Sequence, residues 1–347
     1  MKEVDYLVVG LGVAGVSFCE QLERGNKSYV VFDAYNSPAT EVSGGVFNPV
    51  VLKRFTPVWN AQEFCANAVK FYHSLSAKLQ VELITDLPVW RIFYNVEEQN
   101  DWMVASDRLE LSNFLSSEIL KNLNANIKAP YGFGNVLGSG KIFPKQLLTS
   151  YREYLQKSAK LVSEAFDYSQ LSEVNGKIRY QNYSATRIIF CEGAKVIANP
   201  FFKNELLIGN KGEYIVISAP NLKLGVLLKG SMFVIPLGND LYKVGATFAR
   251  DDYSIHATDK ARDEIVFKLQ KMIQCDFEVV DQIAGVRPTT KDRKPLLGVF
   301  TDHPNMVFFN GLGTRGLMMA PTLAGWLYNS LERNTPLPKE VDINRFN

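Results

Sequence analysis

The chain is poor in the residues that metal, triad and disulfide chemistry need. Its histidines are three, His73, His256 and His303, and no two stand at metal-ligand spacing, so neither a zinc site nor a Ser-His-Asp triad finds support. Four cysteines, Cys19, Cys65, Cys191 and Cys275, are scattered without C-x-x-C spacing. Cys19 and Cys65 fall in helical patterns and Cys191 in an apolar strand, which reads as buried free thiols in a reducing cytoplasm rather than a disulfide framework. No apolar run reaches about 18 residues, which argues against a membrane span. The N-terminus lacks a signal-peptide plan, because an apolar strand begins already at Val4. The formal net charge is only +2, and blocks such as Lys291–Lys294 are short, so no strong bias toward nucleic acid or acidic surfaces appears. Internal repeats and low-complexity segments are also missing. What remains is a globular chain, 46% hydrophobic and 347 residues long, enough for two joined domains or one large one.

The most informative stretch is Met1 to Asp33. Val4 to Val9 is an apolar, β-branched-rich run suited to a buried parallel strand. Gly10, Gly12 and Gly15 follow with G-x-G-x-x-G spacing and open into a helix over Val16–Leu22. A second strand, Ser28–Phe32, ends at Asp33, where a ribose-binding acid is expected. Gly10 permits the tight turn, Gly12 admits a pyrophosphate, and Gly15 lets the helix pack close to the sheet. The helix N-terminus supplies N–H groups and a positive dipole end for phosphates. This is the plan of an adenine-dinucleotide site.

Further along, Ala34–Thr40 reads as a polar loop, and Ser43, Gly44 and Gly45 mark a second place where backbone approaches a flat or charged ligand. Pro57 to Leu79 reads as one amphipathic helix, Val81–Asn95 as strand-like, and Val96–Leu120 as polar and helix-rich. The glycine-dense Gly132–Gly140 leads to Pro144 at the start of a helix over Lys145–Gln156. Ala159–Glu164 and Lys177–Asn182 read as short strands, and Thr186–Cys191 as a second buried parallel strand that stops at Glu192-Gly193. In a doubly wound sheet such a strand end abuts the cofactor, which makes Gly193 a candidate contact. Asn210–Thr247 alternates in the manner of an antiparallel sheet, and Ala257–Cys275 reads as a helix. Gln282–Pro288 and Pro295–Val299 follow, and then a strand, Met306–Asn310, breaks into Gly311-Leu312-Gly313-Thr314-Arg315-Gly316 before a helix over Ala320–Leu331.

These stretches together resemble the D-amino acid oxidase/glycine oxidase/sarcosine oxidase family of FAD-dependent oxidoreductases. The likeness rests on Val8–Gly15, Ser43–Pro49, Gly285-Val286-Arg287-Pro288-Thr289 and Gly311–Gly316, with weaker matches at Ile189–Ala194 and Val244–Thr247. It implies a mixed α/β fold in which a Rossmann-like FAD-binding domain (1–80, 142–195 and 280–347) is interleaved with an antiparallel-sheet substrate domain (81–141 and 196–279). It also implies that Asp33 holds the adenosine ribose and that Ser43, Gly44 and Gly45 line the pyrophosphate and flavin. Gly311, Gly313, Thr314, Gly316 and Leu317 would lie against the pyrimidine side of the isoalloxazine, where a helix N-terminus stabilises negative charge. Arg287 matches an arginine that binds the substrate carboxylate, and Arg315 one near the pocket. Arg54 is a candidate from position alone.

The implied reaction is FAD-dependent oxidation of a C–N bond in an amine or amino acid: hydride passes to flavin N5, the imine hydrolyses, and O2 or another acceptor takes the electrons. Two departures qualify the likeness. Phe233 stands where small-amino-acid oxidases carry an active-site tyrosine, so the substrate is expected to be larger or held differently than glycine. No cysteine or histidine stands where a covalent flavin link would form, so non-covalent FAD is expected. Three other readings stay open at this level. The Gly311–Leu317 loop followed by Ala320-Pro321 is similar to that of the bifunctional enzyme acting on carboxymethylaminomethyl groups of tRNA wobble uridines. The N-terminal turn alone would also serve an NAD(P)-dependent Rossmann dehydrogenase, which has no use for a second glycine loop, and a bound flavin could be structural or regulatory only.

Overall fold

The computed structural model describes residues 1–35 and 39–346, so part of the loop expected at 34–40 lies outside the described residues. Strand β1 (Lys2–Val9) lies at the centre of an eight-stranded sheet, between parallel neighbours β2 (Tyr29–Phe32) and Tyr183–Phe190. Leu161–Val162 extends the sheet beyond β2, and Met306–Asn310 pairs in parallel with the end of Tyr183–Phe190. Alternation along β1 explains its position. Tyr6 and Val8 face one buried cluster and Leu7 and Val9 another, so the strand is covered on both sides. The first cluster is filled by helices α1 (Val13–Arg24), Ala61–Leu79, Pro144–Lys157 and Gly316–Arg333.

A second sheet has nine strands. Its order is Ala249–Arg250, Ile208–Ser218, Leu241–Gly245, Phe233–Gly238, Leu227–Lys229, Val89–Ile92, Phe133–Val136 and Leu115–Leu120, with Glu278–Thr289 also paired to Ile208–Ser218. The antiparallel pattern expected over Asn210–Thr247 is thus present. A short sheet of Val46–Phe47, Gly140–Ile142 and Ile84–Asp86 stands apart from both.

Several elements differ from the sequence reading. The helix expected from Pro57 begins at Ala61, because Thr56–Pro57 pairs with Val50–Val51 and Asn60 takes a left-handed conformation. Val96–Leu120 holds a helix only to Ser106, and Leu115–Leu120 is an edge strand. Its partner, Phe133–Val136, lies inside the glycine-dense stretch, where Gly134 makes room for buried Trp102: a Cβ there would sit 2.5 Å from the indole. The helix expected at Ala257–Cys275 is confined to Asp259–Gln270. The C-terminal helix starts four residues early, at Gly316, directly on the glycine loop.

That helix contains Pro321, which removes one backbone donor and orphans the carbonyl of Leu317 four residues earlier. Tyr72, fully buried on the Ala61–Leu79 helix, donates its hydroxyl to that carbonyl at 2.8 Å. One helix thereby repairs another at the start of the C-terminal helix. Tyr72→Phe should lower stability by about 1–3 kcal/mol by stranding the carbonyl. In a Pro321→Ala background the same change should cost under about 1 kcal/mol, since alanine restores the missing backbone donor. Urea unfolding of the four proteins of this cycle measures both.

Candidate active site

A cavity of about 1170 Å³ opens where the two sheets meet. It exceeds the roughly 300–1,000 Å³ of an ordinary small-ligand pocket, leaving room for a dinucleotide and a second molecule. Of the residues singled out in the sequence, Gly10, Gly12, Asp33, Ser43, Gly44, Gly45, Gly193, Arg287, Gly313, Thr314, Arg315, Gly316 and Leu317 all line it. Gly15 and Gly311 do not, for packing reasons. A Cβ at Gly15 would stand 2.2 Å from the Gly10 carbonyl oxygen, so this glycine seats α1 on the turn. One at Gly311 would meet Thr290 at 2.9 Å, under the loop. Arg54 is exposed and outside the lining.

At the nucleotide end, Gly10 adopts φ +92°, and a Cβ would lie 2.7 Å from the Cys191 carbonyl oxygen on the neighbouring strand end. Only glycine meets both demands. Helix α1 begins at Gly12 with no side-chain cap, which leaves its first turn open to the cavity. Thr40 covers one edge, its hydroxyl accepting from the Val13 N–H at 3.1 Å. Asp33 accepts from the N–H groups of Leu11 (3.1 Å) and Tyr35 (3.2 Å) and pairs with Arg152. Arg152 sits 4.8 Å from the Tyr35 ring. Sequence spacing revealed neither Thr40 nor Arg152, since each reaches the turn from a separate element.

The Ser43–Gly45 loop is held from the other sheet. Lys243, on Leu241–Gly245, donates to the carbonyls of Val42 (2.8 Å) and Ser43 (3.1 Å). Because the peptide's C=O and N–H point in opposite directions, fixing the Ser43 carbonyl turns the Gly44 N–H away from the lysine. That N–H has no acceptor among the described residues. Burial, followed by the charge of Lys141, pushes the Lys243 ammonium down to about 8. At the far end of the first sheet, Asn310 donates to the Gly193 carbonyl at 2.9 Å and accepts from the Gly311 N–H at 2.8 Å, locking the two strand ends together. The C-terminal helix also starts without a side-chain cap.

The opposite wall is one face of the nine-stranded sheet. Side chains alternate along each strand, so Gly212 and Tyr214, Phe233 and Ile235, and Gly285 and Arg287 all point to the same cavity. Arg287 donates to the Thr247 carbonyl at 3.3 Å and stands 4.7 Å from the Phe248 ring. Lys229, half-buried, lies 5.2 Å from the Phe233 ring. Burial, then the charges of Arg91 and Lys268, brings its ammonium down to about 8. Arg315 is likewise lowered by burial and by Arg293.

Glu192, at the nucleotide end, accepts from the Tyr168 hydroxyl and from Asn199 at 2.9 Å. Burial outweighs both bonds and pushes its carboxyl from 4.5 up to about 7. Between those values the folded protein holds a proton that the unfolded chain has lost. Its contribution to stability is therefore complete below pH 4.5 and is lost as pH rises through about 7. Glu192→Gln should abolish this loss. Across that interval the wild type should fall by roughly 1–3 kcal/mol relative to the variant, by urea midpoints at each pH.

Comparison with known proteins agrees with this geometry. Residues 5–329 match the family model described as DAO, FAD dependent oxidoreductase. Glycine oxidase of Bacillus subtilis (strain 168) is 21% identical over 365 aligned residues, covering 98% of this chain and 95% of that protein. The tRNA 5-methylaminomethyl-2-thiouridine biosynthesis bifunctional protein MnmC of Campylobacter concisus (strain 13826) is 23% identical over 315 residues, 86% of this chain but 47% of that protein. Among solved structures, L-amino acid deaminase from Proteus vulgaris superposes with a TM-score of 0.80 at 14% identity, covering 100% of this chain and 98% of the other. The cofactor is FAD, which sets aside the NAD(P) dehydrogenase reading. With the glycine turn, the second glycine loop and the joining sheet all in one order along the chain, this protein belongs to the DAO family of FAD dependent oxidoreductases.

Proposed function

We propose that the protein oxidises a C–N bond in an amine or amino acid bearing a carboxylate. The observation that carries this reading is Arg287. Its guanidinium lines the cavity with one carbonyl acceptor, Thr247, and no acid partner among the described residues. Gly212 makes room for it, since a Cβ there would lie 2.0 Å from Nη2. A planar fork with no carboxylate of its own suits bidentate capture of a substrate carboxylate.

The residues present fit FAD. Two helix N-termini whose N-cap residues make no side-chain cap, and the Gly44 N–H, which has no acceptor among the described residues, border one cavity, with the acid Asp33 at its nucleotide end. In this reading Gly10–Ala14 and Asp33 hold the adenosine diphosphate half, the Ser43–Gly45 loop the middle, and Gly313–Leu317 the ring. FAD supplies the two-electron acceptor when bound. It is held without a covalent link, for the lining has no histidine and a single cysteine, Cys191, whose thiol burial pushes far above its usual range. Cofactor binding belongs to segments 1–80, 142–195 and 280–347, and substrate binding to 81–141 and 196–279. Residues 280–289 serve both, because their strand pairs in the nine-stranded sheet.

The chain's own work is orientation and charge. Arg287 anchors the carboxylate and so fixes the carbon to be oxidised. Tyr214, Phe233 and Ile235 form an apolar wall, and Lys229 and Arg315 add positive charge, so the amine binds in its neutral form. The imine product hydrolyses in water, and O2 or another acceptor takes the electrons. No side-chain base is required, in keeping with a lining that lacks histidine.

A second reading, oxidation of a carboxymethylaminomethyl group on a tRNA wobble uridine, is favoured by the cavity mouth. Phe248 and Ile255 line it while 69% and 60% exposed, a surface on which a base could stack. Retention of tRNA that is lost with rising salt would favour this reading, and indifference to tRNA would set it aside.

Anaerobic bleaching of the flavin spectrum by a panel of amines tests the main proposal. For the amine that bleaches, Arg287→Ala should lower kcat/KM by roughly 10–100-fold, the loss of a charge-assisted pair; an unchanged value refutes the carboxylate assignment. Gly212→Ala should displace the guanidinium and raise KM about tenfold, while leaving thermal stability nearly unchanged because only a flexible side-chain end must move.

A further inference from the structure

The cavity divides by charge. Its carboxylates, Asp33, Glu164 and Glu192, follow strand ends of the first sheet, at the nucleotide end. Among the described residues, the wall contributed by the nine-stranded sheet has no carboxylate but has two cations, Arg287 and Lys229, facing Arg315 on the glycine loop. Lys229 has no acid partner among the described residues; its ammonium donates to the Gly230 carbonyl at 2.8 Å and lies 5.2 Å from the Phe233 ring. The adjacent Arg91, on the same face, shows the usual remedy, a salt bridge to Glu98 at 3.1 Å. A cation drawn out of water without an acid partner is costly, and apart from the Arg91–Glu98 pair the sheet face around Lys229 is apolar, with Leu227, Val89 and Ile235 in one buried cluster. A hydrocarbon side chain would pack there at lower cost. The charge is spent on a ligand.

That ligand group is not the carboxylate on Arg287. The two cations stand on strands separated by three others, Ile208–Ser218, Leu241–Gly245 and Phe233–Gly238. With strands about 4.8 Å apart, their backbones are roughly 19 Å apart across the sheet. The guanidinium reaches back over Gly212 and the ammonium over Phe233, which leaves the charged ends about two strand spacings, roughly 10 Å, apart, still beyond the reach of one carboxylate. We infer that the substrate is an extended amine with two anionic groups, a carboxylate on Arg287 and a second anion, carboxylate or phosphate, on Lys229. This rests on the carboxylate role of Arg287 and adds the substrate's other end. The loss of a hydroxyl at Phe233 agrees with it, since the space between the two cations then accepts a chain rather than gripping a small acid.

The test uses the FAD-loaded protein and ligands that lack an amine, read by perturbation of the visible flavin spectrum. Dicarboxylates from succinate to sebacate are titrated beside monocarboxylates of the same length, and ω-phosphonocarboxylates form a third series. One dicarboxylate or phosphonocarboxylate length should bind at least tenfold more tightly than its monocarboxylate. Lys229→Met should shrink that ratio below threefold, and Lys229→Arg should keep it. The tighter of the two dianion series identifies the second anion as carboxylate or phosphate. Equal binding of monoanions and dianions at every length overturns the inference, as does a ratio that survives Lys229→Met. Monocarboxylate binding that is insensitive to Arg287→Ala overturns instead the carboxylate site on which the inference rests.

Discussion

The ammonium of Lys243 and the carbonyls of Val42 and Ser43 form the contact through which the two sheets share a site. The lysine belongs to the nine-stranded sheet, whereas the loop follows the nucleotide turn of the first sheet and lines the same cavity. Without a hold from the far side, a loop with adjacent glycines would have many conformations to lose on binding. A buried ammonium on two carbonyls is an expensive clamp, as its lowered affinity for a proton shows. A hydrophobic contact could anchor the loop as firmly, but it could not orient a peptide plane. The lysine does so, and thereby leaves the Gly44 N–H facing away from its ammonium.

The same logic recurs around the cavity: backbone groups facing the ligand stay open, and side chains satisfy the groups behind them. Tyr72 serves the carbonyl that Pro321 orphans. Asn310 binds a carbonyl with its amide nitrogen and an N–H with its oxygen, so one side chain closes the gap between two strand ends. Asp33 takes the N–H of Leu11 inside the glycine turn, and Arg152 neutralises the acid from the Pro144–Lys157 helix. Apart from Asn310, which precedes Gly311 directly, these partners are far in sequence from the groups they satisfy. Together they leave two helix N-termini free to meet negative charge.

This arrangement explains which parts were legible in the sequence. Gly10, Gly15, Asp33 and the Gly311–Gly316 loop announce themselves because local backbone geometry demands particular residues at fixed spacing. The two-sided burial of β1 shows in the unbroken apolar run Tyr6–Val9. Arg152, Thr40, Tyr72 and Lys243 carry no local pattern, because what they satisfy is set by tertiary contact. Misread elements have a similar origin. Leu115–Leu120 has no clean alternation, since its pairing with Phe133–Val136 shifts register, and Trp102 rather than its own side chains decides its place. The glycine-dense Gly132–Gly140 gave no strand signal because glycine is rare within strands; the indole packed against Gly134 is the reason that glycine is there.

Charge placement was the least legible feature and constrains chemistry the most. A net charge of +2 hides a cavity whose carboxylates, among the described residues, all stand at one end. The placement follows from topology: the acids, with Lys195 beside them, follow the ends of strands in the first sheet, whereas the charged residues that the face of the second contributes are only the cations Arg287 and Lys229. In the proposed placement a dinucleotide that crosses from one sheet to the other meets hydrogen-bond acceptors at its ribose end and positive charge at its ring. Positive potential there favours electron-rich states of a bound ring and anionic substrates alike, and it disfavours a protonated amine. In the proposed reaction one field thus serves to select the carboxylate, to hold the amine neutral and to direct electrons toward the bound ring.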